Sequence, residues 1–330
     1  IWEQSKAKGI QDKCAGKPGL VEEESKPTKQ LSPPLFDLTT LQREANARFG
    51  FSARNTLAIA QALYERHKVL TYPRTDSKAL PEDYPATVKK TLGVLGEGGY
   101  GKFADEVLKN DWVVPRNKRI FNNAKISDHF AIIPTLQKPK RLKEQEEKIY
   151  DLVVKRFLAV FYPPAEFLVT TRITRVEGEP FKTEGKVLVK PGWLSIYGRD
   201  QQGETLTAVE EDESVKTTDL EVEAKETRPP ARFTEATLLS AMEGAGKLVE
   251  DEELREAMRE SGLGTPATRA NIIEELIRHK YLVREARELI PTAQAFSLIT
   301  LLNGLQVESL SKPELTGDWE HKLKEIERGN

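Results

Sequence analysis

A short basic run near one end of the chain is echoed near the other. Arg66-His67-Lys68-Val69-Leu70 closes a stretch of helical spacing and passes into extended residues, and Arg278-His279-Lys280-Tyr281-Leu282 does the same. Ahead of the first copy, Leu38, Leu41, Ala45 and Phe49 share one face of a predicted helix. Gly50 suits its left-handed end, Ser52 suits the cap of a second helix, and Leu57, Ala60, Leu63 and Tyr64 line that helix's inner face. Ahead of the second copy, Ile272, Ile273, Leu276 and Ile277 mark another helix. The pattern reads as helix, turn, helix and wing, placed twice. Modules of that type present a helix and a wing to nucleic-acid backbones, although many pack only against protein. A run of cations also suits the C-terminus of any helix, so the echo alone leaves both readings open.

Between the two copies the periodicity changes from helical to alternating. Glu166-Phe167-Leu168-Val169-Thr170-Thr171-Arg172-Ile173 and Val187-Leu188-Val189 read as strands, with turn signals at Gly178-Glu179-Pro180 and Pro191-Gly192. Residues 1–35 mix Lys, Glu, Gly and Pro and read as one or two strands and a linker ending near Pro33-Pro34. The expectation is an α+β multidomain protein. Its parts are residues 1–35 and 163–230 as a β domain, 36–162 as a helical module, and 231–330 as a second helical module.

The 330 residues suffice for two or three domains with cores. A hydrophobic content of 38% with 31% charged residues is ordinary for a soluble protein and does not make disorder the default, and a net charge of −2 means that any nucleic-acid surface must come from local clustering of Lys and Arg. The single cysteine, Cys14, excludes an internal disulfide and a Cys-based zinc site within these residues. No apolar run reaches the roughly 18 residues of a membrane span. The opening Ile1-Trp2-Glu3-Gln4 is neither a signal peptide nor a natural initiator, so the chain is expected to start inside a longer protein. The acidic run Glu210-Glu211-Asp212-Glu213 reads as a solvated loop.

The candidate chemistry begins with Thr71-Tyr72-Pro73-Arg74-Thr75-Asp76-Ser77. In an extended segment positions 72 and 74 project to one side, so a phenol and a guanidinium can meet one phosphate. The phenol can attack a phosphodiester while the guanidinium holds two of its oxygens. Taken as an isolated triplet, Tyr-Pro-Arg is more often a half-buried tyrosine beside a surface arginine. A second element, Asp128-His129-Phe130-Ala131-Ile132-Ile133-Pro134-Thr135, follows a basic loop of Arg116, Lys118 and Arg119. His129 could donate to a phosphate oxygen or move a proton. A third element joins Arg232 to Gly262-Leu263-Gly264-Thr265-Pro266-Ala267-Thr268-Arg269, where Thr265 is expected to cap a helix with Pro266 at its first position. With Thr268 and Arg269 nearby, that N-terminus would suit a phosphate, although cap residues need no ligand. The run Gly96-Glu97-Gly98-Gly99-Tyr100-Gly101-Lys102 has P-loop spacing, but Phe103 stands where a hydroxyl should ligate magnesium and the preceding residues look helical, so no nucleotide site is expected.

The segment from Leu38 to Leu80 resembles the type IA DNA topoisomerases, and within them the bacterial topoisomerase III branch. The resemblance extends from about residue 34 to 328 through the three elements above and Pro291-Thr292-Ala293-Gln294-Ala295. Relatives often carry a second histidine at Phe130 and a glycine at Ala295. The resemblance implies a β arch between two winged-helix-like (catabolite-activator-like) modules, forming the open part of a ring. It also implies a single-strand break by Tyr72 through a 5′-phosphotyrosine link, with Arg74 and His129 assisting, followed by strand passage and resealing without ATP. Such chemistry relaxes negative supercoils and decatenates DNA. The single-stranded DNA groove would be lined by Arg232, Thr265, Thr268 and Arg269. Mg²⁺ in the family belongs to an acidic Toprim domain with no counterpart in these residues, so the chain is expected to be a fragment, inactive alone and without a metal site of its own. The cytoplasm of a bacterium, near the nucleoid, and a helicase or single-strand-binding protein as partner are implied in the same way. Two rivals stand beside this reading. One is a noncatalytic winged-helix protein that binds single-stranded DNA; the other, a tyrosine recombinase, needs an Arg and His constellation that His67, His129, His279 and His321 do not form.

Overall fold

The computed structural model describes residues 1–198, 206, 207, 209, 213–258 and 262–329. Of the acidic run, Glu210, Glu211 and Asp212 lie outside the described residues. The fold is α+β, and the chain divides into two compact units, residues 1–33 with 159–230 and residues 34–158 with 231–330. The two expected helical modules therefore share one unit.

The first unit is built on a four-stranded sheet in the order β3-β2-β1-β4, with β1 (Pro18–Gln30), β2 (Ala165–Val176), β3 (Glu179–Lys190) and β4 (Ser214–Lys216). Its pairings are antiparallel, and β1 matches β2 over nearly its whole length, from Gly19 opposite Val176 to Gln30 opposite Ala165. The β2–β3 hairpin turns on Glu177 (φ 50°) and Gly178 (φ 82°), one residue earlier than the glycine and proline signals suggest. Two consecutive positive φ values suit the right-handed twist of the flanking strands. Residues 1–35 hold a helix as well as a strand: α1 spans Gln4–Cys14. Only Cys14 of this helix is buried, so no apolar stripe announces it in the sequence. The Cys14 thiol donates to the Val176 carbonyl at 3.3 Å.

The second unit contains the same construction twice. In the first copy Asp37 caps α2 (Leu38–Phe49) in a reciprocal box with Thr40, Gly50 closes the helix at φ 70°, and Ser52 caps α3 (Ala53–Glu65). These local signals act as expected of their types. The helical remainder of residues 34–158 is α4 (Pro85–Gly96), α5 (Gly101–Lys109) and α6 (Glu144–Ala159), so a helix precedes the Gly96–Lys102 run. Phe36, Leu38, Leu41, Leu63, Phe121 and Phe157 are fully buried at its centre. In the second copy Thr234 caps α7 (Glu235–Glu243) in a box with Thr237, α8 (Glu252–Met258) intervenes, and α9 (Arg269–Arg278) leads to the hairpin β5 (Leu282–Glu285) and β6 (Glu288–Pro291). The helices α10 (Ala293–Gly304) and α11 (Glu314–Arg328) follow.

The match between the copies reaches individual hydrogen bonds. Lys68 and Lys280 both take a left-handed conformation, at φ 58° and 63°. The Thr135 hydroxyl donates to the Lys68 carbonyl at 2.6 Å, and the Thr292 hydroxyl donates to the Lys280 carbonyl at 2.6 Å. Thr135 N–H reaches the Val69 carbonyl, and Thr292 N–H reaches the Tyr281 carbonyl, each at 3.0 Å. Ile132 and Leu289 donate to the carbonyls of Phe36 and Phe233 just ahead of each capped helix, at 2.8 and 2.7 Å. Each basic run thus marks a helix end followed by a clasp that a Pro-Thr pair closes. The copies pack through α2 against α7 and α3 against α9, around Ala53, Leu239, Met242, Ala270, Ile273 and Leu289.

Candidate functional site

Tyr72 and His129 are carried by two segments that the first clasp holds side by side. Thr71 donates its N–H to the Ile133 carbonyl at 3.0 Å and its hydroxyl to the Ala131 carbonyl at 3.0 Å, and the Thr75 hydroxyl donates to the His129 carbonyl at 2.7 Å. The rings of Tyr72 and His129 consequently touch, with centroids 4.4 Å apart at 50°. Tyr64 of α3 packs edge-on against Tyr72 at 5.4 Å. An open pocket of about 360 Å³ lies beside the phenol, lined by Tyr64, Lys68, Thr71, Phe130 and Thr135 among others. Tyr72 is half-buried and His129 exposed, so a ligand can reach both.

Arg74 is half-buried and reaches two groups at long range: Nη1 donates to the Ala267 carbonyl at 3.4 Å and Nη2 to Gln61 Oε1 at 3.5 Å. The first contact brings the Tyr72–Ser77 segment to the Gly262–Arg269 loop. That loop is set by its glycines, because Gly262 and Gly264 take φ 66° and 65° and a side chain at Gly262 would lie 2.4 Å from the Met242 carbonyl. Helix α9 begins at Arg269, about one turn later than expected. Thr265, Pro266, Ala267 and Thr268 form a turn instead, in which the Thr265 N–H donates to Thr268 Oγ1 at 2.9 Å and the Arg269 N–H to the Thr265 carbonyl at 3.0 Å. The expected Thr265 cap gives way because the Thr268 hydroxyl folds back onto Thr265 and not forward into the helix.

The remaining candidates differ in accessibility. Arg116, Lys118, Arg232, Thr265 and Thr268 are exposed. Lys118 pairs with Glu82 at 2.7 Å, and Arg232 lies 4.0 Å from Glu288. Arg119 is half-buried, and its burial pulls the guanidinium below its ordinary value. Arg269 is only 3% exposed. It donates to the carbonyls of Leu263 and Gly264, each at 3.1 Å, and to Thr39 Oγ1 at 3.0 Å. Burial lowers its pKa too, and the nearby carboxylates of Glu243 and Asp37 oppose that shift. Beside it, the Lys78 ammonium bridges Asp37 at 3.2 Å and Glu243 at 3.4 Å.

Gln61, Tyr64 and Thr39 are not among the site residues that the sequence suggests. For Gln61 and Tyr64 a signal exists, since they are three residues apart on the helix that leads into Tyr72 and so share a face. For Thr39 there is none. Among the described residues no group of three or more His, Cys, Asp or Glu side chains is placed to hold a metal ion, and no helix is long and apolar enough to cross a membrane.

A family model described as DNA topoisomerase matches residues 1–330. The chain is 40% identical over 328 residues to DNA topoisomerase 3 of Bacillus licheniformis, covering 95% of this chain and 44% of that protein. It is 39% identical over 329 residues to DNA topoisomerase 3 of Bacillus subtilis, with the same coverage. The chain thus spans less than half the length of these curated relatives. In fold it is similar to the full-length topoisomerase I of Thermotoga maritima, with a TM-score of 0.72 at 24% identity, over all of this chain and 52% of that one.

Proposed function

This chain belongs to the type IA DNA topoisomerases, in the topoisomerase III branch, and on that premise we propose that it is the tyrosine-bearing part of an enzyme that breaks and reseals one DNA strand. Tyr72 is the nucleophile. Its phenolic oxygen attacks the phosphorus, a P–O bond to tyrosine forms, the bond to the 3′-oxygen breaks, and the phenol proton ends on that oxygen as a free 3′-hydroxyl. Because one phosphodiester is exchanged for another, resealing is the reverse step and draws on no outside energy source.

The observation that carries this reading is the ring contact of Tyr72 with His129 on two paired segments, with Arg74 two residues beyond Tyr72 on the first of them. Arg74 would hold the nonbridging oxygens, since its two long contacts are readily exchanged for charge-assisted ones. His129 would donate to the same phosphate. The repeated helix pairs with their clasps are read as two winged-helix-like modules. Arg116, Lys118 and Arg119 would supply backbone contacts to DNA, and Arg232, Thr265 and Thr268 would follow the single strand through the second module. Mg²⁺, where the family uses it, would be held by residues other than these. Relaxation, decatenation and cytoplasmic action on bacterial DNA follow from the same reading.

The test is trapping of 5′-linked protein on an end-labelled oligonucleotide by the full-length protein. Tyr72→Phe should abolish the adduct and leave DNA binding nearly intact, because it removes one oxygen and keeps the ring. An adduct that persists in Tyr72→Phe would assign the attack to another residue. DNA binding by a wild type that forms no adduct would favour the noncatalytic reading.

A further inference from the structure

We propose that Thr39 and Arg269 are positioning residues for Arg74, forming a buried strut that fixes the loop carbonyl against which Arg74 rests. The proposal builds on the reading of Tyr72 and Arg74 above, and it gives Arg269 a task other than contact with DNA.

Thr39 is fully buried and Arg269 nearly so, so this guanidinium offers little surface to a phosphate. Its planar fork is spent on the protein: two arms take the Leu263 and Gly264 carbonyls, and a third takes the Thr39 hydroxyl. Arginine suits this task, because a rigid set of donors can address three acceptors in fixed directions. The first two bonds shape the turn that presents the Ala267 carbonyl. The third ties that turn to the first turn of α2.

The same turn of α2 also holds the segment that carries Arg74. Leu38 donates its N–H to the Thr75 carbonyl at 3.0 Å, one residue beyond Arg74. The backbone of Arg74 and the carbonyl that receives its guanidinium are therefore both referenced to residues 38 and 39. Lys78 braces this junction too, reaching Asp37 on the cap of α2 and Glu243 at the end of α7, while Arg43 reaches Glu243 at 3.5 Å. Leu263 N–H donates to the Met242 carbonyl at 2.7 Å, which anchors the loop to α7 as well. Arg74 itself keeps two long bonds, so it is aimed and remains exchangeable.

A strut of this kind acts only through Arg74, which makes the test specific. Thr39→Val and Thr39→Ser are introduced into the full-length protein, each in the wild-type and in the Arg74→Ala background, and adduct yield, single-stranded DNA affinity and its salt dependence are measured. Thr39→Val should lower adduct yield roughly ten-fold or more, as small misplacements of a positioned group do. Affinity should hardly change, and Thr39→Ser should restore most of the adduct. In the Arg74→Ala background Thr39→Val should cause no further loss. An equal loss in both backgrounds would mean a merely structural role, and no loss in either would remove the strut; both overturn the proposal. Arg269→Gln gives an independent readout. Its log-affinity against log-salt slope should match wild type, whereas a phosphate ligand would lose about 0.7 from the slope, which also overturns the proposal. A wild type that forms no Tyr72 adduct would remove the underlying reading as well; a Tyr72-dependent adduct indifferent to Thr39→Val would remove this inference alone.

Discussion

Glu235, the first residue of α7, accepts the Ala53 N–H of α3 at 2.7 Å, so one copy of the repeated motif caps a helix of the other. Ser52 serves the same helix locally, through the Asn55 N–H at 3.1 Å. Glu235 is 4% exposed, and its second oxygen receives Arg284 Nε at 2.7 Å. Arg269 at the start of α9 reaches Thr39 in α2, which makes the joint nearly reciprocal.

Glu235→Ala removes an acceptor from a buried N–H and a charge from Arg284. Hydrogen bonds to charged groups are worth about 1.5–3 kcal/mol, so a loss near that size is expected in urea unfolding. Glu235→Gln keeps an acceptor and should lose less.

Arg74 and His129 should separate in the adduct assay. Arg74→Ala removes the charge proposed to stabilise the transition state, an effect of about 10²–10³-fold for one such donor elsewhere. His129→Ala removes only the hydrogen bond proposed to reach the phosphate and should fall between wild type and Arg74→Ala. Equal losses in the two variants would assign His129 a larger part, such as proton transfer.

Two glycines with nearly equal φ should respond differently to alanine. Around Gly50 (φ 70°) no heavy atom lies within 4 Å of the point a methyl would occupy, so Gly50→Ala should cost only the left-handed strain of about 1–2 kcal/mol. At Gly262 the same methyl would lie 2.4 Å from the Met242 carbonyl and 2.5 Å from that of Glu243, which forces the loop to move. Gly262→Ala should therefore melt at a clearly lower temperature than Gly50→Ala and lose adduct yield as well.

Glu146 should contribute to acid sensitivity. Burial opposes its charge, but the Lys143 N–H at 2.9 Å and the neighbouring His67 and Arg66 prevail and hold its pKa below the ordinary 4.5. A carboxyl with a depressed folded-state pKa adds stability above its unfolded value, and that stability is lost as pH falls through the folded value. The melting temperature should drop as pH falls below about 4.5, and Glu146→Gln should flatten that drop. An identical pH profile in the variant would assign the acid sensitivity to other carboxyls.

Local features are the readable ones. Gly50, Ser52 and the inward faces of α2 and α3 depend on neighbours in the chain, and spacing alone reveals them. The α1 helix is hidden because only Cys14 of its residues is buried. Arg269 is legible only in part: beside Thr268 an arginine looks like a phosphate ligand, and nothing nearby in the sequence shows that carbonyls from its own loop and a hydroxyl from residue 39 receive it. Spacing places the start of α9 too early because the cap chemistry of Thr265 is legible and its competition with Thr268 is not. Tyr72 and His129 are each visible as candidates, but their contact depends on the threonine bonds of the clasp, which join positions far apart in the chain.

The prolines of the two clasps bear on how copies of the chain meet one another. Leu70 faces Pro134 and Leu282 faces Pro291 at positions whose neighbours, Thr135 and Thr292, carry the inward hydrogen bonds. In an antiparallel pair the adjacent residue turns its nitrogen outward, and here that nitrogen has no hydrogen to offer. One residue pair further along each outer edge, Phe36 and Phe233 already take the N–H of Ile132 and Leu289. An incoming strand would thus find one donor missing and the next engaged, so these edges are poor templates for self-association even when chains are crowded together.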